Sequence, residues 1–345
     1  MVDSSTSLRT QRASGSLFGL AFGDALGAET EFLSVNEILR HFPPDGPQQP
    51  PGDPALVTDD TQMTLALGNA LLAAVRPYTA ATLEGPLRQA FIQWNESPEN
   101  NRAPGITCIE ACDRLAKGLD WQQASRISSK GCGANMRVAP VGLLPPGRDG
   151  VTAETRAALA QFQAAFTHGH PTALAAADLT ATAIADLVAG GNPSSLPQRL
   201  RTYALDQRTH YHEAWLGSLW EYATIFPSAQ EYIAYGWNEC LHVLDRLEQA
   251  LQIGDRASDP CQHTGAGWIA EEALATGLLC FLLYPEEPIS AIRRAAVSSG
   301  DSDSLATLTG AFAGAYHGLA SWPVEWFTRI EYRDQLTRLG KAWDS

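Results

Sequence analysis

Five stretches of this chain are rich in alanine and leucine and repeat their apolar residues at three- and four-residue spacing: LFGLAFGDALGA, TQMTLALGNALLAAV, PTALAAADLTATAIADLVAG, WIAEEALATGLLCFLL and SLATLTGAFAGAYHGLA. That period belongs to α-helices that bury one face. In the third stretch Ala177, Ala181, Ile184 and Val188 fall on a single face. Convincing period-two alternation is missing, so the pattern gives no basis for a sheet. Glycines inside the helical runs cost helix propensity and are expected where two helices approach closely. The pattern predicts an all-α fold, a compact multi-helix bundle.

Punctuation falls between these runs. PPDGPQQPPGDPAL (43–56), VGLLPPGRDGV (141–151) and GGNPSSLPQ (190–198) read as surface loops, and none is long enough for a clear interdomain linker. With no internal repeat, residues 1–345 are expected to form a single domain. The chain carries 24 Lys and Arg against 38 Asp and Glu, a formal net charge of −14. A balance that acidic argues against a general nucleic-acid binder, which needs a basic face to neutralise phosphates. No run of eighteen apolar residues occurs, so no membrane partner is expected. The polar start MVDSSTSLRTQRASGS has no apolar signal core, which makes a cytoplasmic location the expectation. The six cysteines are scattered without a CxxC pair, against a zinc site or disulfide framework. Cys108 and Cys112, at i and i+4, read as buried thiols.

Chemistry-bearing residues gather at two helix starts. SSGDSDSLATLTG places Asp301 and Asp303 directly before an apolar helical run, and VTDDTQMTLALG does the same with Asp59 and Asp60. Helix capping explains one carboxylate at each start, and Asp59 with Gln62 has the spacing of a capping box. The second carboxylate is left over, and its repulsion needs water, a donor or a cation to offset it. With Thr58 and Ser304 the two segments offer up to six hard oxygen donors and no imidazole or thiolate. Such a set suits Mg²⁺, Mn²⁺ or Ca²⁺. A third acidic element is GLAFGDALGAETE. It buries Asp24 in an apolar helix and sets Glu31 seven residues later, about two turns on and on the same face.

These segments together resemble the ADP-ribosylglycohydrolase family, which includes the dinitrogenase-reductase-activating glycohydrolases. The resemblance rests on GLAFGDALGAETE, TDDTQMTLAL and GDSDSLATLTGAFAGA. It is strengthened by SSKGCGANMRVAPVGL, similar to the family's glycine-rich GxxMRxAPLG loop, and by THGHPTALAAADLTATAIADL, similar to its TH-x-x-P helix start. NRAPGITC and GWIAEEALA also look like family elements, and the motifs run in order from about residue 15 to 320.

The resemblance implies an orthogonal all-α bundle around a central dinuclear site holding two Mg²⁺, with Mn²⁺ as the alternative ion. It implies Thr58, Asp59 and Asp60 as ligands from one side and Asp301, Asp303 and Ser304 from the other. Ser304 stands where the family often has threonine and keeps the hydroxyl. Glu31 is implied beside the ions, and Asp60, Asp303 and Glu31 become candidates for the catalytic proton role. Without the resemblance, Gly131, Cys132, Gly133 and Ala134 are a plain glycine turn before a core Met136. With it, they are expected to contact the diphosphate, with Lys130 or Arg137 near by, and Met136, Arg137 and His168 are expected to join them in binding the substrate. The implied activity is hydrolytic release of ADP-ribose from an acceptor, foremost ADP-ribosyl-arginine on a protein, including a toxin-modified target. ADP-ribosyl-serine or a small ADP-ribosyl metabolite are alternative substrates. A non-catalytic binding or immunity module is the rival reading, which the intact acidic set disfavours.

Overall fold

The computed structural model describes residues 11–344; the first ten residues of the polar start, MVDSSTSLRT, lie outside them. Among the described residues the architecture is helical. Its longer helices are α1 (Arg12–Gly27), α2 (Asp59–Ala73), α3 (Ala80–Asn95), α4 (Ile106–Ala116), α5 (Ala153–Ala165) and α6 (Pro171–Val188). They continue with α7 (Leu196–Gln207), α8 (Ala229–Ile253), α9 (Ala270–Leu283), α10 (Pro288–Ala296), α11 (Ser302–His317) and α12 (Arg333–Trp343). Strand pairing is limited to isolated bridges, such as Arg126 with His168 and Gly131 with Ile269. The all-α expectation holds.

The element that positions everything else is the α1–α11 pair. Gly15, Gly19, Gly23 and Gly27 recur every four residues on α1, and Ser302, Ala306, Gly310 and Gly314 do so on α11. The two rows meet backbone to backbone. A Cβ on Gly310 would stand 1.9 Å from the Gly19 carbonyl oxygen, and one on Gly23 would stand 2.0 Å from that of Ala306. Only glycine permits such an approach. Gly15 lies against Gly314 and Gly27 against Ser302, so the helices run antiparallel. The end of α1 therefore arrives at the mouth of α11, where Asp301 and Asp303 sit. Ser302 Oγ donates to the Gly27 carbonyl at 3.0 Å and Thr30 Oγ1 donates to Ser302 Oγ at 3.0 Å, fixing that junction.

Helix α6 is long and apolar enough by composition to cross a membrane, but 78% of it is buried inside the protein. One of its two carboxylates, Asp178, is fully buried and ties three helices together. It accepts from Gln161 Nε2 of α5 at 2.9 Å and from the Tyr203 hydroxyl of α7 at 2.8 Å. Burial pushes its pKa up from 3.8 to about 6 despite those donors. The unfolded chain ionises Asp178 near 3.8 and the folded one resists until about 6. Stability is therefore lost as pH rises through that window, by about 3 kcal/mol. Gln161 Oε1 has no partner. In Asp178→Asn, a turned Gln161 amide would accept from the new side-chain amide. We expect this variant to be more stable than the parent by about 1–2 kcal/mol at pH 7 and to lose the advantage near pH 4. Paired thermal melts at the two pH values check it.

Candidate active site

The site is assembled at helix mouths around Asp24. This buried α1 carboxylate accepts the backbone N–H and hydroxyl of Thr58 and the backbone N–H and hydroxyl of Thr61. It thereby clamps the first turn of α2 to α1. Asp24 is a structural anchor. The cap of α2 differs from the expected one: Thr58 occupies the N-cap and its hydroxyl accepts from the Asp60 N–H. Asp59 begins the helix, so the Asp59–Gln62 capping box does not form. Both carboxylates are thus released from capping. At the other mouth Asp301 holds the N-cap position of α11 without a side-chain cap bond, and Asp303 lies in the first turn.

The two mouths meet. Thr58 Oγ1 lies 3.4 Å from Asp303 Oδ2. Ser304 Oγ lies 3.4 Å from Asp60 Oδ1, across 244 residues of sequence. Glu31 falls in the turn after α1 ends at Gly27, so the expected shared helix face does not exist. The turn nevertheless brings Glu31 to the centre: its carboxylate oxygen, one from Asp301 and one from Asp303 lie within 4.8 Å of one another.

The charges are mutually unfavourable as they stand. Burial first, then the charge of Asp303, pushes Asp24 up to about 7 and both Glu31 and Asp59 up to about 8. The same two causes raise Asp60 and Asp301 well above the carboxylate range. Asp60 Oδ2 is buried with no hydrogen-bond partner. Carboxylates packed this closely out of water take a neutral form unless a cation stands among them. Hard oxygen donors from Thr58, Asp59, Asp60, Asp301, Asp303 and Ser304 fit such a cation.

Beside the carboxylates opens a cavity of about 360 Å³, within the range of small-molecule sites. Its walls include Gly131, Cys132, Gly133, Met136 and His168. A Cβ on Gly133 would stand 2.8 Å from Cys108 Sγ, so the loop needs glycine there. His168 is buried, and burial with the nearby Arg137 cation lowers its pKa to about 3. Arg137 donates to Thr167 Oγ1 at 2.8 Å, and Thr167 Oγ1 lies 2.8 Å from His168 Nδ1. Nε2 of the imidazole lies beside Gly131 and Gly133, and it carries the ring hydrogen in the tautomer whose Nδ1 accepts from the Thr167 hydroxyl.

Two expected diphosphate contacts lie elsewhere. Ala134 is fully buried, off the cavity wall, with its carbonyl accepting from Gln163. Arg137 is also fully buried behind the loop. Its guanidinium donates to Gln163, Thr167 and the Gly133 carbonyl and stacks 4.5 Å over Phe91. Arg137 is a strut for the loop because every donor group is turned inward. Lys130 is engaged by Glu239 and Glu271. Within the loop, the Gly131 N–H points to Ser129 Oγ and the Cys132 N–H to the Trp268 carbonyl. Gly133 lines the cavity, and neither of these loop bonds uses its N–H.

Sequence reasoning gave no role to Phe32 and Trp268. Their rings stack at 5.5 Å across the cavity mouth, and they are 68% and 42% exposed. Phe32 has a left-handed backbone, φ 65°, a placement that nothing in residue spacing foretells. A second cavity of about 520 Å³ adjoins the first through Glu31, Phe32 and Ala103. Part of the 43–56 loop forms its rim, with Glu29 among the other wall residues. Arg329 holds that rim by donating to the Pro50 and Gly52 carbonyls.

Comparison with known proteins agrees with the helical fold. The family model described as ADP-ribosylglycohydrolase matches residues 4–344. ADP-ribosylhydrolase ARH3 of Mus musculus is 27% identical, over 96% of this chain and 90% of that protein. ADP-ribosyl-[dinitrogen reductase] glycohydrolase of Rhodospirillum rubrum is 24% identical, over 93% and 91%. ADP-ribosylarginine hydrolase Tri1 of Serratia proteamaculans is 23% identical, over 96% and 78%. A solved structure titled ADP-ribosylglycohydrolase-related protein complex shares the fold, with a TM-score of 0.68 over 98% of each chain at 24% identity. Together with the helical fold, the family match marks a hydrolase acting on ADP-ribosyl glycosidic bonds. The chain belongs to the ADP-ribosylglycohydrolase family.

Proposed function

We propose that this enzyme releases ADP-ribose from ADP-ribosyl-arginine on a protein, in the cytoplasm, with two Mg²⁺ ions at the acidic centre. The observation that carries the reading is the meeting of two carboxylate-rich helix mouths beside a glycine-lined cavity. Thr58, Asp59 and Asp60 would hold the ions from α2, and Asp301, Asp303 and Ser304 from α11. When bound, such ions supply Lewis acidity toward ribose hydroxyls and a more acidic water.

The chain's own groups divide the remaining work. The Gly133 amide and His168 Nε2 would donate to phosphate oxygens. Carboxylates beside the anomeric carbon favour the positive charge that develops as its glycosidic bond breaks. Asp60, Asp303 and Glu31 are the candidates for moving the proton, which must reach a guanidine leaving group on one side and leave a water on the other. An arginine acceptor is favoured by Glu29 and Glu31, which face the adjoining cavity and complement a cation. The names of the Rhodospirillum and Serratia relatives point to protein and arginine substrates.

The test compares free ADP-ribose released from arginine-linked and serine-linked ADP-ribosyl proteins and from a small ADP-ribosyl metabolite. The reading expects the arginine substrate to turn over fastest. Release confined to the serine or small-molecule substrate would overturn the acceptor assignment. Binding without release from any of them would favour the non-catalytic module.

A further inference from the structure

The carboxylate centre has a sulfur side. Cys132 Sγ lies 2.9 Å from Asp301 Oδ2 and 3.6 Å from Ser304 Oγ. Met136 Sδ lies 4.0 Å from the same Ser304 Oγ. Both sulfur-bearing residues line the cavity that the carboxylates face. Across Ser304, Asp60 presents Oδ1 at 3.4 Å, while its Oδ2 is buried and unpartnered. Two ligands of a tetrahedral Zn²⁺ stand about 3.6 Å apart for a sulfur–oxygen pair and about 3.4 Å for two oxygens. The Cys132–Ser304 and Ser304–Asp60 separations match those edges. The closer Cys132–Asp301 pair would open once a cation replaced the shared proton.

We propose that Cys132 makes this centre a binding site for a thiophilic divalent cation such as Zn²⁺ or Cd²⁺, held by Cys132, Ser304, Asp60 and Asp301. The inference rests on reading the carboxylate cluster as a cation site. Softness separates the two kinds of occupant: Mg²⁺ takes the oxygen donors and leaves sulfur aside, whereas Zn²⁺ and Cd²⁺ gain from thiolate. On binding, the S–H bond breaks, its electron pair becomes the sulfur–metal bond, and the proton passes to solvent. A cation bound this way shares Asp60 and Asp301 with the Mg²⁺ site, so it competes with Mg²⁺.

The test uses Cd²⁺ alone, titrated into the full chain, with the sulfur-to-cadmium charge-transfer absorption as readout. The expected result is one saturable equivalent in the parent and in Cys261→Ser, a control for the other part-exposed thiol. Cys132→Ser should lose the band yet keep its stabilisation by Mg²⁺, which also reports that it folds. A ¹¹³Cd resonance of the parent provides a measurement free of variants, since one sulfur ligand shifts it away from an all-oxygen position. No band in the parent, or an undiminished band in Cys132→Ser, overturns the proposal. The hydrolytic reading is tested separately: Mg²⁺-supported release of ADP-ribose without the band removes only this inference, and the band without release removes only that reading.

Discussion

Asp303→Asn is expected to lower ADP-ribose release by about a thousandfold or more while raising the melting temperature of the metal-free protein. The two effects share one cause. Asp303 is the foremost neighbouring charge acting on Asp24, Glu31, Asp59, Asp60 and Asp301. It is itself buried, 3.4 Å from Thr58 Oγ1. Removing that charge relieves repulsion among five acids, worth about 1–2 kcal/mol in EDTA by the usual scale of stabilising substitutions. It also removes a central donor from the cation site, so Mg²⁺ should stabilise the variant less than the parent. Melts with EDTA and with Mg²⁺, run beside the release assay, check all three parts. A variant that is less stable than the parent in EDTA would contradict the placing of Asp303 at the hub of the repulsion.

Gly310→Ala is expected to destabilise the fold by about 3 kcal/mol or more, although it adds one methyl group. Its Cβ would lie 1.9 Å from the Gly19 oxygen and 2.5 Å from the Gly19 carbon. Both are backbone atoms of a helix, so no side chain can turn aside to make room. Helices α1 and α11 must part, and Asp24 and Asp303 part with them. Mg²⁺ affinity should fall along with stability, although Gly310 is about two helical turns from the acidic mouth. Gly85 supplies the control. It lies within α3, and a Cβ there meets nothing within 4 Å. Gly85→Ala should be neutral or stabilising by up to about 1 kcal/mol. Urea unfolding of both variants separates the effect of close helix contact from that of helix propensity.

The helices and the acidic mouths were legible because both are local patterns: three- and four-residue apolar spacing, and paired carboxylates at helix starts. Close contact through glycine could also be expected, and the four-residue rows at Gly15–Gly27 and Ser302–Gly314 fulfil it. What local pattern cannot give is direction. Ala134 and Arg137 belong to the glycine-rich segment, yet the turn aims them away from the cavity and into the core. The cap of α2 was misplaced by one residue because a threonine and an aspartate at adjacent positions are both good caps. Thr58 takes the role because Asp24 already fixes its amide and hydroxyl. Glu31 reaches the centre by a turn after α1, not by helix periodicity. Phe32 and Trp268 come together from distant segments, and neither carried a signal beyond being apolar and aromatic. The joining of the two mouths, 244 residues apart, became an expectation only through the family resemblance.

The most direct measurement is release of free ADP-ribose from an ADP-ribosyl-arginine protein, run in parallel with Mg²⁺ and with EDTA. Release is predicted with Mg²⁺, none with EDTA, and recovery when Mg²⁺ is restored. Release that continues undiminished in EDTA would contradict a metal-dependent role for the acidic centre.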